Sequence, residues 1–208
     1  MPPTPLDAAK PLPPSARGLD YLLAAPFRYR PYPQGSRFRR AGLSPGVWYG
    51  ALQPETAAAE MAFYRLLFFA ESPDTPFPAN AGAYTGYAAA LASTAAFDLT
   101  SGALAGDAAR WTDRVDYAAC QQLADDARAI ACQLLYQSVR DPAGGRNVAV
   151  LDCAAFASPT PLAERQSWHI FLSATGLLVQ RDFPRLDLEF APDAFAGDPR
   201  IAAMRWQR

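Results

Sequence analysis

The sequence predicts an α+β domain. Short apolar runs separated by proline and glycine read as strands, one run of sixteen residues, 55–70, contains neither glycine nor proline and reads as a helix, and the two kinds of element do not alternate strictly. Half of the 208 residues are hydrophobic, enough to bury a sizeable core, so one compact domain over 19–208 behind an N-terminal arm, 1–18, is the expected organisation.

The arm is expected because Pro2, Pro3, Pro5, Pro11, Pro13 and Pro14 remove backbone donors and favour an extended, polyproline-like chain. A meander of short strands, 27–30, 36–39 and 47–51, follows, punctuated by Pro31, Pro33, Gly35, Gly42, Pro45 and Gly46. Pro54 then stands where a first helical turn accepts it, and 55–70 is rich in Ala, Leu and Met. Only Glu55, Thr56, Glu60 and Arg65 are polar before the end of that helix, so burial on more than one side is expected. Residues 83–100 read as extended. A second helix is expected over 116–130, capped by Asp113 or Asp116, with Tyr117, Cys120, Leu123, Ala124 and Ala127 on one face. Strands 133–139, 147–153, 168–173 and 177–181 complete the pattern, joined by Gly144-Gly145, Pro159, Pro161 and Gly176.

Composition excludes several classes of function. The 19 basic and 20 acidic residues nearly cancel, which gives no field for nucleic acid or an anionic membrane. Lys10 is the only lysine; the arginines suit forked recognition of phosphate, and a base-composition bias of the genome would produce them equally well. Cys120, Cys132 and Cys153 are odd in number, match no zinc spacing and follow no signal peptide, so they read as buried thiols in a reducing, cytoplasmic compartment. The longest uncharged run, 75–97, is broken by prolines, glycines and small residues and is too weakly hydrophobic to span a bilayer.

Three features carry chemistry. The stretch 21–54 holds Arg28, Arg30, Arg37, Arg39 and Arg40 with no acidic residue, so these guanidiniums either meet an anion such as a pyrophosphate or bond water and carboxylates distant in the chain. Glu60, inside the apolar helix, is either a surface edge beside Thr56 or a buried carboxylate that must be paired. Ser138 shares a strand face with Tyr136 and Arg140 by period two; read alone it is an ordinary strand serine. His169 is the single histidine and reads as a satisfied, half-buried side chain, which argues against a catalytic triad and against a histidine-based metal site.

Taken in order, Phe27-Arg28-Tyr29, Gly35-Ser36-Arg37-Phe38, Val47-Trp48-Tyr49-Gly50-Ala51, then Pro54-Glu55-Thr56-Ala57 with Glu60, resemble the arginine, tyrosine and glutamate segments of the RES domain. Cys120-Gln121-Gln122-Leu123-Ala124, Tyr136-Gln137-Ser138-Val139-Arg140 and Gly144-Gly145-Arg146-Asn147-Val148 resemble its serine region, so the likeness runs over roughly residues 19 to 156. The resemblance implies an ADP-ribosyltransferase-like fold of short strands with a buried helix carrying Glu60. It also implies a toxin of a type II toxin–antitoxin pair that consumes NAD⁺, without a metal, and is neutralised by a cognate helix-turn-helix antitoxin; that antitoxin is expected to bury or block the arginine cleft. By the same resemblance Glu60, Tyr49 and Arg28 are the catalytic set, with Arg30 the competing position for Arg28. Arg28 and Arg37 bind the phosphates, Tyr49 stacks on the nicotinamide side, and Ser138 and Arg140 complete the dinucleotide contacts. The acceptor of ADP-ribose is water, phosphate or a protein side chain. Two rival readings are a non-catalytic module that captures a nucleotide or a partner protein through 28–40, and an enzyme for another phosphorylated nucleotide.

Overall fold

A computed structural model describes residues 12–29, 33, 35–42 and 45–207. Residues 1–11 of the arm expected over 1–18, and the competing Arg30, therefore lie outside the described residues, while Pro14–Ala16 form a 3-10 turn with Ala16 buried rather than an extended chain. In chain order the elements are α1 (Tyr21–Arg28), β1 (Trp48–Ala51), α2 (Pro54–Ala70), β2 (Gly82–Tyr87), β3 (Ala96–Asp98), α3 (Ala108–Trp111), α4 (Ala118–Ala127), β4 (Gln133–Gln137), β5 (Arg146–Val150), β6 (Arg165–Ser173), β7 (Gly176–Arg181), β8 (Leu186–Phe190) and α5 (Pro199–Ala202). This is a mixed α and β fold of short strands and several helices, as the composition and patterning predict.

The chain falls into two compact units. The first (residues up to 50, 89–137 and 147–162) contains the sheet ordered β1-β5-β4-β3, in which β3 and β4 run parallel. Its core gathers Phe38, Val47, Trp111, Leu134, Tyr136 and Leu151 with Cys120, Ala124 and Ala127 from α4. The α4 helix is shorter than expected at both ends, but the predicted face is the one that packs; its N-cap is Tyr117 without a side-chain bond, not Asp113 or Asp116, although Asp116 just before it accepts the Ala118 N–H at 2.8 Å. Cys120 and Cys153 are buried free thiols and Cys132 is half-buried. Burial pushes the Cys120 thiol up, and burial beside Asp152 pushes Cys153 up to about 11, so both are protonated at neutral pH.

The second unit (51–88, 138–146 and 163–208) contains the antiparallel sheet β2-β6-β7-β8. Ala62, Phe63 and Leu66 of α2, all fully buried, form its core together with Ile170 of β6 and Val179 of β7, and Phe190, Phe195 and Ile201 close it. Burial covers one broad side of α2 only: Met61, Tyr64 and Phe68 are 43%, 53% and 53% exposed, against the expectation of an enclosed helix. Glu60 sits at the margin between the two sides and is half-buried.

Two expected strands are not strands. Residues 27–28 end α1, whose first turn is capped by the Asp20 carboxylate accepting from Leu22 N–H at 2.8 Å; burial of Leu23, Ala24, Ala25 and Phe27 then favours the helix despite Pro26. Residues 36–39 form a tight turn closed by Ser36 N–H to Arg39 O (2.8 Å) and Arg39 N–H to Ser36 O (3.1 Å). Gly35 enters that turn at φ +76°, where a Cβ would lie 2.5 Å from Arg39 O. The expected placement of these arginines on strands is thereby corrected: Arg28 is on a helix terminus and Arg37 at a turn corner. The alternation Leu186-Asp187-Leu188-Glu189-Phe190 forms β8, a strand beyond those expected from the sequence. Among the described residues, no helix is long and apolar enough to cross a membrane.

Candidate functional site

In the second unit the site is built on one side of α2. Thr56, Glu60 and Phe63 recur at i, i+4 and i+7 and so lie along one face, and the turn 138–145 is fastened to all three. Ser138 Oγ donates to Glu60 Oε1 at 2.6 Å. The same oxygen accepts the Arg140 N–H at 3.2 Å and the Asp141 N–H at 3.0 Å. A hydroxyl has one proton and two lone pairs; with both lone pairs engaged, its proton is committed to the carboxylate. Ser138, only 3% exposed, therefore directs its one proton at the Glu60 carboxylate. The strand β4 ends at Gln137, so it is this turn and not strand alternation that sets the direction of Ser138.

One helical turn from Glu60, Thr56 Oγ1 donates to Asp141 Oδ2 at 2.8 Å, and Asp141 also receives the N–H groups of Ala143 and Gly145. Gly144 at φ +71° lets the turn reverse. Gly145 leaves room for the latch, since a Cβ there would lie 2.0 Å from Thr56 Oγ1 and 2.6 Å from Asp141 Oδ2. A Gly145→Ala substitution is expected to open the Thr56–Asp141 bond and destabilise the fold by roughly 1–3 kcal/mol, read as a lowered melting temperature.

Arg140 does not take the ligand-facing position that the sequence reading gave it. It is 4% exposed, its guanidinium lies 3.9 Å from the Phe63 ring centroid, and Nη1 bonds the fully buried Asp198 at 3.0 Å. Asp198 also caps α5 and accepts from Arg200 Nε and Nη2 at 3.0 and 2.8 Å. Burial alone would raise its pKa; the bonds from Arg200 and the charge of Arg140 outweigh it and hold the carboxyl below its ordinary value.

The first unit presents the remaining expected residues. Tyr49 is 38% exposed through its ring, while its hydroxyl shares a hydrogen bond with Ser36 Oγ (2.9 Å) and accepts the Phe38 N–H (3.0 Å). Enclosure of that hydroxyl pushes the phenol up, offset in part by those bonds and by the charges of Arg37 and Arg128. Arg37, expected to meet a phosphate, spends both terminal nitrogens on the protein: Nη1 donates to Trp111 O at 2.7 Å and Nη2 to Asp113 O at 2.8 Å, with the guanidinium over the Tyr117 ring. Arg39 donates to the nearby Tyr29 carbonyl, whereas Arg40 pairs with Asp125, the distant carboxylate that the sequence offers as the alternative. Arg28 is exposed at the end of α1. His169 pairs with Asp182 at 3.2 Å, and among the described residues no cluster of three or more His, Cys, Asp and Glu side chains is placed to hold a metal ion.

Sequence reasoning did not find Asp141, Asp198 or Arg200, and it gave Thr56 only as a neighbour of Glu60. The signal for Asp198 was present, since Asp198-Pro199 is an N-cap followed by proline in the first turn. Compared with known families, residues 12–173 match the model of the RES domain. No curated protein matches the chain.

Proposed function

We propose, from the premise that this chain belongs to the RES domain family, that it cleaves the nicotinamide–ribose bond of NAD⁺ with Glu60 as the carboxylate that stabilises the developing ribosyl cation. The family is an NAD-consuming, ADP-ribosylating toxin domain of toxin–antitoxin systems, and membership implies NAD-processing enzymatic activity and a cognate antitoxin.

The observation that carries the assignment to Glu60 is the hydrogen bond from Ser138, whose proton is committed to the carboxylate by two backbone donors. A preoriented carboxylate beside the ribose stabilises the transition state more than the ground state, because positive charge moves from the pyridinium ring onto the ribose and the carboxylate does not have to reorganise as it arrives. In the reaction the C1′–N bond breaks with its electron pair passing to the pyridinium nitrogen, which leaves neutral nicotinamide. Positive charge grows on the ribose, and an acceptor oxygen then bonds C1′ and loses its proton. Ser138 holds the carboxylate through these steps. The assignments of Arg28 to the phosphates and of Tyr49 to the nicotinamide are supported by the exposure of both side chains and by the pinned Tyr49 hydroxyl, which leaves its ring available for stacking. Arg37 and Arg140 contribute through the loops they fasten. The antitoxin is assigned a helix-turn-helix fold on the family resemblance.

The test is product analysis. Purified protein is incubated with NAD⁺ alone, with inorganic phosphate, and with candidate acceptor proteins. Nicotinamide is expected, together with ADP-ribose, a phosphorylated ADP-ribose or a modified protein according to the acceptor. NAD⁺ recovered intact from every mixture would overturn the reading.

A further inference from the structure

The segment after residue 173 lies beyond the part of the chain that matches the family, yet it supplies the deepest charge beside the site. Asp198 has no exposed side-chain surface and Arg140 has 4%. A buried ion pair is costly to assemble and is weak as a source of stability, so its position is the informative feature. Arg140 is held at both ends: its side chain bonds Asp198 and stacks on Phe63, and its backbone N–H donates to Ser138 Oγ. Phe63 is three residues beyond Glu60 on α2, so the clamp fixes the turn carrying Ser138 against the helix carrying the carboxylate.

We propose that Asp198 is a positioning residue: through Arg140 it holds Ser138 where its proton meets Glu60, so that the chain beyond the family match completes the geometry of the catalytic carboxylate. This inference rests on the reading of Glu60 given above. Arg200 serves the same arrangement by filling the remaining acceptor positions of Asp198, which leaves the carboxylate a single orientation toward Arg140.

The experiment has two arms. In the first, Asp198→Asn, Ser138→Ala and the double variant are compared in nicotinamide release from NAD⁺ at a temperature where each is folded. Asp198→Asn is expected to lower kcat about tenfold, with KM for NAD⁺ within about threefold, because small displacements of a catalytic group act on turnover. In the Ser138→Ala background the same substitution is expected to change kcat by less than about threefold, since the residue through which it acts is gone. An unchanged kcat in folded Asp198→Asn, or the full loss repeated on Ser138→Ala, would overturn the proposal. The second arm does not depend on activity. Hydrogen exchange at the Arg140 and Asp141 amides, the two donors to Ser138 Oγ, should accelerate at least about tenfold in Asp198→Asn relative to amides of β6 and β7; equal protection would also overturn it. Should Asp198→Asn not fold, Arg140→Lys, which keeps the charge but loses the planar fork and stack, is taken through both arms with the same deciding outcomes. Absence of nicotinamide from the wild-type protein would defeat the NAD⁺ reading, and the exchange arm would still decide the clamp.

Discussion

A Glu60→Gln variant is expected to release nicotinamide from NAD⁺ at about a hundredth of the wild-type rate or less, with its melting temperature nearly unchanged. Glutamine has the shape of glutamate, and its amide oxygen accepts the Ser138 proton as the carboxylate does, so the turn 138–145 keeps its fastening to α2. What disappears is the negative charge. Removing one preoriented electrostatic contact from an active site costs about 100- to 1,000-fold in turnover, and because the loss falls on the transition state, KM should change little. Chromatographic nicotinamide release and thermal unfolding of the same preparation check both halves. Normal turnover in folded protein would remove Glu60 from the mechanism.

Arg37→Ala is expected to act on stability first. The substitution removes two bonds from a charged donor to the carbonyls of Trp111 and Asp113 and the stack on Tyr117, and it leaves those carbonyls unanswered beside a side chain that is only 8% exposed. Bonds to a charged group contribute about 1.5–3 kcal/mol each, so a loss of roughly 3–5 kcal/mol is expected. In a chain of this size that lowers the melting temperature by on the order of 10 °C. Arg37→Lys should recover less than half of it, because one ammonium does not span two carbonyls as a planar fork does. Urea or thermal unfolding gives the answer. A variant of full stability that has lost NAD⁺ affinity would return Arg37 to the phosphate-binding role that its position in the sequence suggests.

The two arginines show where sequence was sufficient and where it was not. Local chemistry made α2, α4, β1 and the strands β4 to β7 legible, because helix formers, caps and strand alternation act over a few residues. Ser138 and Glu60, both drawn from the family pattern, meet across 78 positions in sequence. Their relation was not legible, because it is fixed by backbone donors in a turn that period two does not describe. Arg28 and Arg37 read as strand residues because prolines and glycines bracket the short runs that hold them; the Asp20 cap and the Gly35 turn override that signal. The destinations of Arg37 and Arg140 were not accessible to any local signal, since their partners lie 74 residues away at Trp111 in one case and at Asp198 in the other. An arginine-rich stretch without acids is therefore no measure of anion binding until each guanidinium has been followed to its acceptor.

The account is tested most directly by the stoichiometry of nicotinamide formed per NAD⁺ lost in the purified wild-type protein. One nicotinamide for each NAD⁺, continuing through many turnovers per protein molecule, is the predicted result. NAD⁺ that binds and is recovered whole would contradict it and would leave the chain a capture module rather than an enzyme.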